Sequence, residues 1–163
     1  MTHVLVRQAV PADLDDLVEL FDHYRQFQGQ PSAPQAARDF LHARFDHGES
    51  VVFIAQADGA ALGFAQLYPS FSSVSLSRVF ILNDLYVAAA GRRRGVASRL
   101  LAAVEQHAWS FGAARVTLNV ARANVQAQAL YEARQWKRDE QFFMYHRFAP
   151  PALPAGRHPE RGS

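Results

Sequence analysis

Arg92-Arg93-Arg94-Gly95-Val96-Ala97 is the stretch that decides the fold, and it separates an apolar run, 79–87, from an amphipathic segment, 95–111. A strand, a short basic turn with a glycine and then a helix form an anion site, because the first N–H groups of a helix have no intrahelical partner. Arginines add donors for phosphate oxygens, and small residues at 95 and 97 allow close approach of the backbone. The stretch predicts a diphosphate site; the alternative is an arginine-rich loop that only solvates the start of a helix.

A second segment follows about thirty residues later and runs from Asn124 to Trp136 as Asn-Val-Gln-Ala-Gln-Ala-Leu-Tyr-Glu-Ala-Arg-Gln-Trp. The first stretch resembles motif A of the GNAT family of N-acetyltransferases, Arg/Gln-x-x-Gly-x-Gly/Ala. The second is similar to motif B, Asn-x-x-Ala-x-x-Leu-Tyr-x-x-x-Gly-Phe/Trp, and two motifs in this order are more specific than one. Ala97 and Gln135 stand where the family more often has glycine. Neither change removes a reacting group, but Gln135 affects how its helix ends.

The resemblance implies a site for acetyl-CoA, the co-substrate of the family. In the family, the motif A loop holds the pyrophosphate and the strand before it offers backbone groups to the pantetheine amides. The asparagine of motif B bonds the cofactor arm or caps its helix. Carried onto this sequence, the cofactor-binding residues are Leu85, Tyr86, Val87, Arg92, Arg93, Arg94, Gly95, Val96, Ala97 and Asn124.

Tyr131 stands at the tyrosine position of motif B. The resemblance assigns it the role of the general acid that protonates the departing sulfur. A phenol titrates near about pH 10, so it carries its proton at neutral pH and can donate it. The alternative is an aromatic side chain that only packs beside Leu130.

Asp84 lies in the central apolar strand, where an unpaired carboxylate is costly. Because this strand faces the acceptor in the family, Asp84 is predicted to be a base, acting directly or through water, or an anchor for an ammonium group. The alternative is a structural salt bridge to a buried arginine. The similar polyamine enzymes have an acidic pair at positions 83 and 84, but Asn83 takes no proton. The predicted substrate-binding residues are Asn83, Asp84, Tyr24 and Tyr68, with the tyrosines as an aromatic rim for a cation or as core.

The chain has 163 residues, no cysteine and a formal net charge of +2. This length predicts one domain, residues 1–149, followed by a disordered tail, 150–163, that is rich in Pro, Gly and Arg. We expect no membrane span, because no apolar run of about eighteen residues is present, and we expect a cytoplasmic enzyme without disulfides. His42 and His47 do not share a helix face well, so we expect no metal site.

The hydrophobic pattern predicts five strands, at 4–10, 50–57, 62–68, 78–87 and 115–120, and two more within 136–148. It predicts helices from residue 11, over 36–46, 95–111 and 124–134. Asp58-Gly59 indicates a hairpin turn, and 69–77 indicates a serine-rich loop. The fold class is mixed α/β. The resemblance implies the GNAT fold, a twisted mixed sheet of six to seven strands with about four helices and a splayed central cleft.

The leading functional prediction is an N-acetyltransferase that moves the acetyl group of acetyl-CoA to a primary amine by direct attack in a ternary complex. The acceptor is a small or polyamine-like amine or a lysine side chain, and the polyamine and diamine branch of the family is the most similar. One alternative is a non-catalytic acyl-CoA sensor of the same fold. Another is a nucleic-acid-binding protein that uses the three arginines, against which the nearly balanced charge argues. We expect no nucleic-acid or membrane partner, and a homodimer is consistent with the resemblance.

Overall fold

The computed structural model describes residues 3–152, so most of the expected C-terminal tail lies outside the described residues. The five strands form one mixed sheet and follow each other across it in sequence order. Neighbouring strands from β1 to β4 are antiparallel, and β5 is parallel to β4. The strands are β1 (Leu5–Gln8), β2 (Val51–Ala57), β3 (Ala60–Ser72), β4 (Ser77–Val87) and β5 (Val116–Thr117). The helices are α1 (Leu14–Phe27), α2 (Pro34–His47), α3 (Val96–Ser110) and α4 (Val125–Ala133).

Helices cover both faces of the sheet, and each face has its own apolar core. On one face, α1 and α2 place Leu17 and Leu41 against Phe64 and Ile54 of the central strands. On the other face, Leu100 and its neighbours in α3 pack against Leu67 and Leu82 of β3 and β4. The mixed α/β fold class is therefore confirmed. Within the described residues, no helix is long and apolar enough to cross a membrane.

A β-bulge at Asn83 decides where the side chains at the end of β4 point. Gln66 of β3 pairs with Asp84, but the next residue, Leu67, pairs with Leu82, so Asn83 is an extra residue in β4. Strict alternation from Leu82 would place Asp84 on the α3 face of the sheet. Because a bulge reverses the alternation, Asp84 faces α1 and α2 together with Gln66.

The sheet opens between β4 and β5. Their pairing covers two positions and ends at Ile81 opposite Thr117. Beyond this point the chain segments that continue both strands, 82–87 and 118–121, line opposite parts of one cleft. The splayed cleft implied by the resemblance is therefore present.

Four predicted strands differ from the observed ones: one is longer, one is shorter and two are absent from the described residues. The strand β3 continues through Pro69 to Ser72, where a loop was expected. Its pairing with β2 ends at Leu67, so Pro69 lies at an edge of the sheet, where the missing N–H of proline is tolerated. The hairpin turn at Asp58-Gly59 is observed, with φ of 51° and 76°.

The two strands expected within 136–148 are absent from the described structure, and β5 has two residues where six were expected. The prediction rested on aromatic content, but strand propensity requires a paired and half-buried surface. Phe143 and Tyr145 are instead 86% and 90% exposed. The sheet consequently has five strands where the resemblance implied six to seven.

The helix α4 ends at a strained residue. Gln135 has φ of 67°, in the left-handed region that favours glycine, and its N–H donates to the Glu132 carbonyl oxygen over 2.9 Å. This is the position where the resemblance leads one to expect glycine, and the structure shows why, since a left-handed conformation ends the helix.

We expect Gln135→Gly to raise the free energy of unfolding by about 1 kcal/mol, because glycine adopts the left-handed conformation without strain. The higher entropy of glycine in the unfolded chain offsets part of this stabilisation. Urea unfolding at pH 7 measures the change. The control Gln126→Gly, inside α4, is expected to lower the free energy of unfolding by about 1 kcal/mol. Equal losses for both variants would show that the conformation of Gln135 costs nothing.

Candidate active site

A cleft of about 780 Å³ lies where β4 and β5 separate. Its walls are the second half of β4, the segment after β5, the first turns of α3 and α4, and the last turn of α1. Twelve predicted site residues line it: Tyr24, Asn83, Leu85, Tyr86, Val87, Arg92, Arg93, Gly95, Val96, Ala97, Asn124 and Tyr131. Asp84, Tyr68 and Arg94 are not part of this lining.

One end of the cleft is formed by the start of α3, where the sequence predicts an anion site. The first helical hydrogen bond runs from the Arg99 N–H to the Gly95 carbonyl oxygen over 3.1 Å. The N–H groups of Val96, Ala97 and Ser98 consequently have no intrahelical partner, and all three residues line the cleft. Gly95 precedes the helix with φ of 71°. Three free donors at the positive end of a helix fit a diphosphate.

Arginine and glycine lie beside the start of α3. Arg92 and Arg93 line the cleft and place charged donors there, whereas Arg94 lies outside the lining, and the diphosphate contacts of all three arginines stay predictions. Gly91, just before them, has no room for a side chain. A Cβ at this position would lie 2.9 Å from the Leu62 carbonyl oxygen and 3.0 Å from a Val87 methyl group. The tight contact fixes the start of the loop against β3 and β4.

The edge of β4 supplies the middle of the cleft. Beyond Ile81 none of the described residues pairs with one edge of β4, while β3 still pairs with the other edge as far as Val87. Backbone groups on the open edge next to Leu85 and Val87 are therefore available to the amides of an extended ligand, in the way that a further strand would pair. This arrangement fits the predicted role of Leu85, Tyr86 and Val87.

Asp84 is buried directly beneath the cleft and is 5% exposed. The Gln66 side-chain amide donates to Oδ2 of Asp84 over 2.7 Å, and the Asn83 amide donates to Oδ1 over 3.1 Å. The hydroxyl of Tyr24 also lies next to this carboxylate. Burial raises the pKa of Asp84, and these three neighbours moderate the rise because they favour the ionised form.

No cationic side chain of the described residues forms a salt bridge with Asp84. The structural salt bridge to a buried arginine, considered from the sequence, is therefore not found in this part of the chain. A buried carboxylate without a charged partner carries a desolvation cost that purely structural groups rarely bear. Asp84 thus has the environment of a functional carboxylate.

Tyr24 and Tyr131 face each other near Asp84. Burial raises the pKa of Tyr24, and the negative charge of Asp84 raises it further, with a smaller contribution from Tyr131. Burial also raises the pKa of Tyr131. Both phenols therefore carry their protons at neutral pH and can donate them. Tyr24 lines the cleft and interacts with Asp84, whereas Asp84 is not part of the lining.

Tyr68 and Asn124 have supporting positions. Tyr68 accepts a hydrogen bond from the Gln66 amide over 3.2 Å, and burial followed by the charge of Asp84 raises the pKa of Tyr68 to about 12. Tyr68 lies outside the cleft lining, and its part in an aromatic rim stays a prediction. Asn124 caps α4, where its side-chain oxygen accepts from the Ala127 N–H over 3.1 Å, and it also lines the cleft.

Sequence reasoning missed Gln66, Gly91 and Ser98. A polar residue inside the apolar run 62–68 was a signal for Gln66, because a buried amide needs partners. Its Nε2 bonds Asp84, while no described residue donates to its buried Oε1. Gly91 follows three alanines and gave no local signal. Its role depends on a contact with β3, far away in sequence.

Motif B is fixed to α3 by a polar network. Arg134 donates to Oε2 of Glu105 over 2.7 Å and to the Ser98 hydroxyl over 3.0 Å, and the Trp136 indole donates to Oε1 of Glu105 over 2.8 Å. The Trp136 ring also lies 5.8 Å from the Tyr131 ring, measured between centroids. The network holds α4 at a fixed position on α3, and with it the tyrosine at the cleft.

The family model described as "Acetyltransferase (GNAT) family" matches residues 14–135. An uncharacterized N-acetyltransferase of Bacillus subtilis (strain 168) is 43% identical over 140 residues, which cover 86% of this chain and 94% of the relative. A type 1 aminoglycoside N(6')-acetyltransferase of Salmonella typhimurium is 30% identical over 136 residues, which cover 77% of this chain and 91% of the relative. The crystal structure of a probable acetyltransferase matches with a TM-score of 0.86 at 42% identity, over 91% of this chain and 99% of that chain.

Proposed function

Because the chain belongs to the GNAT family and is therefore an acetyl-CoA-dependent N-acetyltransferase, we propose that it transfers the acetyl group directly to a primary amine within a ternary complex. One observation carries the proposal. A buried carboxylate, Asp84, follows and precedes residues that line the cleft, and a protonated phenol, Tyr131, lines the same cleft as the start of α3.

Acetyl-CoA supplies the activated acetyl group, and the residues of the cleft fit its two polar parts. Arg92, Arg93 and the free N–H groups at the start of α3 bind the diphosphate. The open edge of β4 pairs with the amides of the pantetheine arm. These contacts orient the reacting end towards Tyr131 and so reduce the entropic part of the barrier.

Asp84 removes the proton that blocks the acceptor. An alkylammonium group has a pKa near that of lysine, about 10.4, so nearly all of the acceptor is charged at neutral pH. The acceptor nitrogen gives one proton to the Tyr24 hydroxyl as that hydroxyl gives its own proton to Asp84. The phenol is therefore unchanged and the carboxylate becomes neutral. The raised pKa of Asp84 makes it a better base than an exposed aspartate.

Tyr131 completes the transfer at the sulfur. As the new carbon–nitrogen bond forms, the carbon–sulfur bond breaks and its electron pair stays on the sulfur. The Tyr131 hydroxyl donates a proton to the sulfur, and the nitrogen loses its second proton to water as the amide forms. Water then returns a proton to the phenolate, and Asp84 releases its proton to solvent before the next turnover. Burial raises the pKa of this phenol, so Tyr131 carries its proton at neutral pH when the thiolate leaves.

Binding of acetyl-CoA tests the cofactor part of the proposal. Arg92→Ala and Arg93→Ala are each expected to raise the dissociation constant for acetyl-CoA roughly tenfold, the effect of losing one charge-assisted hydrogen bond. Calorimetric titration measures it. The matched control is Arg94→Ala, whose side chain is outside the cleft lining and whose effect is expected to stay below about twofold. Equal losses for all three variants would indicate a general charge effect and no defined diphosphate site.

The proposal extends to a cytoplasmic enzyme that forms a homodimer. Exposed aromatic side chains in the segment 142–148 support an interface, because large contiguous apolar surfaces are unusual on monomers. Light scattering of the purified protein tests the dimer, and cell fractionation tests the compartment. A mass equal to one chain of 18.2 kDa would rule out the dimer.

A further inference from the structure

The charges of the cleft are unevenly distributed. Among the described residues that line it, the charged ones are Arg92 and Arg93, and both lie at the anion site. The acceptor end is lined by uncharged side chains: Tyr24, Phe27, Gln28, Asn83 and Tyr86. Within residues 3–152, the carboxylate in contact with this end is Asp84, which accepts from the Asn83 amide and interacts with Tyr24. The acceptor end is therefore equipped to neutralise one positive charge.

A buried acidic residue on α1, Asp22, already accepts three hydrogen bonds. Asp22 is 5% exposed and accepts hydrogen bonds from the Ser32 hydroxyl over 2.6 Å, the Ala33 N–H over 2.7 Å and the Gln26 amide over 3.0 Å. These bonds hold the loop between α1 and α2, and they lower the pKa of Asp22, with the Ser32 hydroxyl as the main cause. Asp22 is thus a structural group and has little capacity for a second ammonium group of an acceptor.

An aromatic wall borders the same end. The ring of Tyr86 lies 6.1 Å from that of Tyr24 and 6.4 Å from that of Phe27, measured between centroids. Phe27 follows Tyr24 by three residues, so both side chains lie on one face of α1. Phe27 is 67% exposed, although it is a large apolar side chain. An exposed ring beside the reacting groups offers a ligand an apolar and polarisable surface.

A polycation fits this end poorly. A second or third ammonium group would enter a space lined by aromatic and amide side chains, where an unpaired charge loses hydration without gaining a partner. An amine with one charge and a flat apolar substituent fits this end better. Its ammonium group can interact with Tyr24 and Asp84, and its ring can pack against Phe27 and Tyr86.

We propose that the acceptor is an arylalkylamine with a single positive charge, and that Phe27 is the residue that selects it. The proposal rests on the proposed acetyl transfer to a primary amine. The proposed acceptor differs from the aminoglycosides named for one relative, because aminoglycosides carry several positive charges.

Competing acceptors test the proposal. Thiol release from acetyl-CoA is measured with 2-phenylethylamine, butylamine, spermidine and kanamycin, each over a range of concentrations. We expect kcat/KM for 2-phenylethylamine to exceed that for spermidine or kanamycin at least tenfold. A higher kcat/KM for spermidine or kanamycin would overturn the arylalkylamine proposal and leave acetyl transfer to amines intact. Acetyl-CoA binding without turnover of any of the four amines would instead overturn the proposed function and the acceptor class with it.

Variants of Phe27 test its role as the selecting residue. Phe27→Ala is expected to lower kcat/KM for 2-phenylethylamine about five- to tenfold, mainly through KM, and to lower that for butylamine less. Phe27→Glu places a second carboxylate at the acceptor end. It is expected to raise kcat/KM for spermidine relative to kcat/KM for 2-phenylethylamine. The matched control is Phe71→Ala, which removes a ring that is 72% exposed and lies outside the cleft lining. The ratio of kcat/KM for 2-phenylethylamine to kcat/KM for butylamine decides the point. If Phe27→Ala and Phe71→Ala both leave this ratio equal to that of the unmodified protein, Phe27 does not select the acceptor.

Discussion

Replacing Tyr131 with phenylalanine is expected to lower kcat about a hundredfold or more and to leave the dissociation constant of acetyl-CoA within about twofold. The phenol lines the cleft, and its raised pKa keeps the proton available for the sulfur. Phenylalanine keeps the ring that packs near Trp136, so α4 keeps its position. The loss therefore reports the hydroxyl group and its proton.

Single-turnover rates with saturating acetyl-CoA measure this effect, since they exclude product release from the observed rate. The matched control is Tyr145→Phe, because Tyr145 is 90% exposed and lies outside the cleft lining. Its kcat is expected to equal that of the unmodified protein. A single-turnover rate that stays normal in Tyr131→Phe would remove Tyr131 from the general-acid role and leave packing as its function.

Asp84→Asn is expected to lower kcat/KM by two to three orders of magnitude at pH 7, roughly the contribution of a positioned general base. The asparagine oxygen still accepts from the Gln66 amide, as the carboxylate does over 2.7 Å, but it takes no proton. The substitution also removes the carboxylate that, in the described part of the chain, contacts the acceptor end. Both effects act on the amine, so binding of acetyl-CoA is expected to remain.

The pH dependence gives a second, independent readout for Asp84. Burial raises its pKa above the ordinary carboxyl value, so the ionised base is lost as pH falls through that raised pKa, and kcat/KM falls with it. The titrating neighbours are Tyr24, Tyr68 and Tyr131, which carry raised pKa values and stay neutral over this range. In Asp84→Asn this acid limb should disappear, whereas the control Asp58→Asn, in the hairpin turn, should retain it.

Thermal unfolding separates this loss of activity from misfolding. A buried group whose pKa is raised destabilises the native state when it is ionised, so the cost is present above the raised pKa and is relieved as pH falls through it. Asparagine carries no such cost. We therefore expect Asp84→Asn to unfold at the same or a higher temperature than the unmodified protein at pH 7. An inactive variant that also unfolds at a much lower temperature would say nothing about the base, and an active one would exclude it.

The anion site and motif B were predictable because each depends on a short stretch of sequence. The glycine with positive φ, the helix that follows it and the arginines before it are local features of 92–97. Asn124 and Tyr131 belong to one helix, so their relation is set by helical spacing. Arg92 and Arg93 line the cleft and Arg94 does not, a difference that three consecutive arginines do not reveal in the sequence.

The surroundings of Asp84 were harder to predict because they depend on contacts between distant segments. The direction of its side chain depends on the bulge at Asn83, which alternation alone does not reveal. Its partners Gln66 and Tyr24 lie 18 and 60 positions away in the chain. The last two predicted strands failed for a related reason, since a strand requires a partner and the segment 136–148 forms no ladder in the described structure.

The central claim is that one cleft joins acetyl-CoA to an amine acceptor through Asp84 and Tyr131. Its most direct test measures released thiol and N-acetylated amine in the same reaction, beside calorimetric titration with acetyl-CoA. We predict saturable binding and one acetylated amine for each thiol released, with both products reduced together in Tyr131→Phe and in Asp84→Asn. Binding of acetyl-CoA with no acetylated product from any primary amine, or turnover that both variants leave unchanged, would contradict the claim.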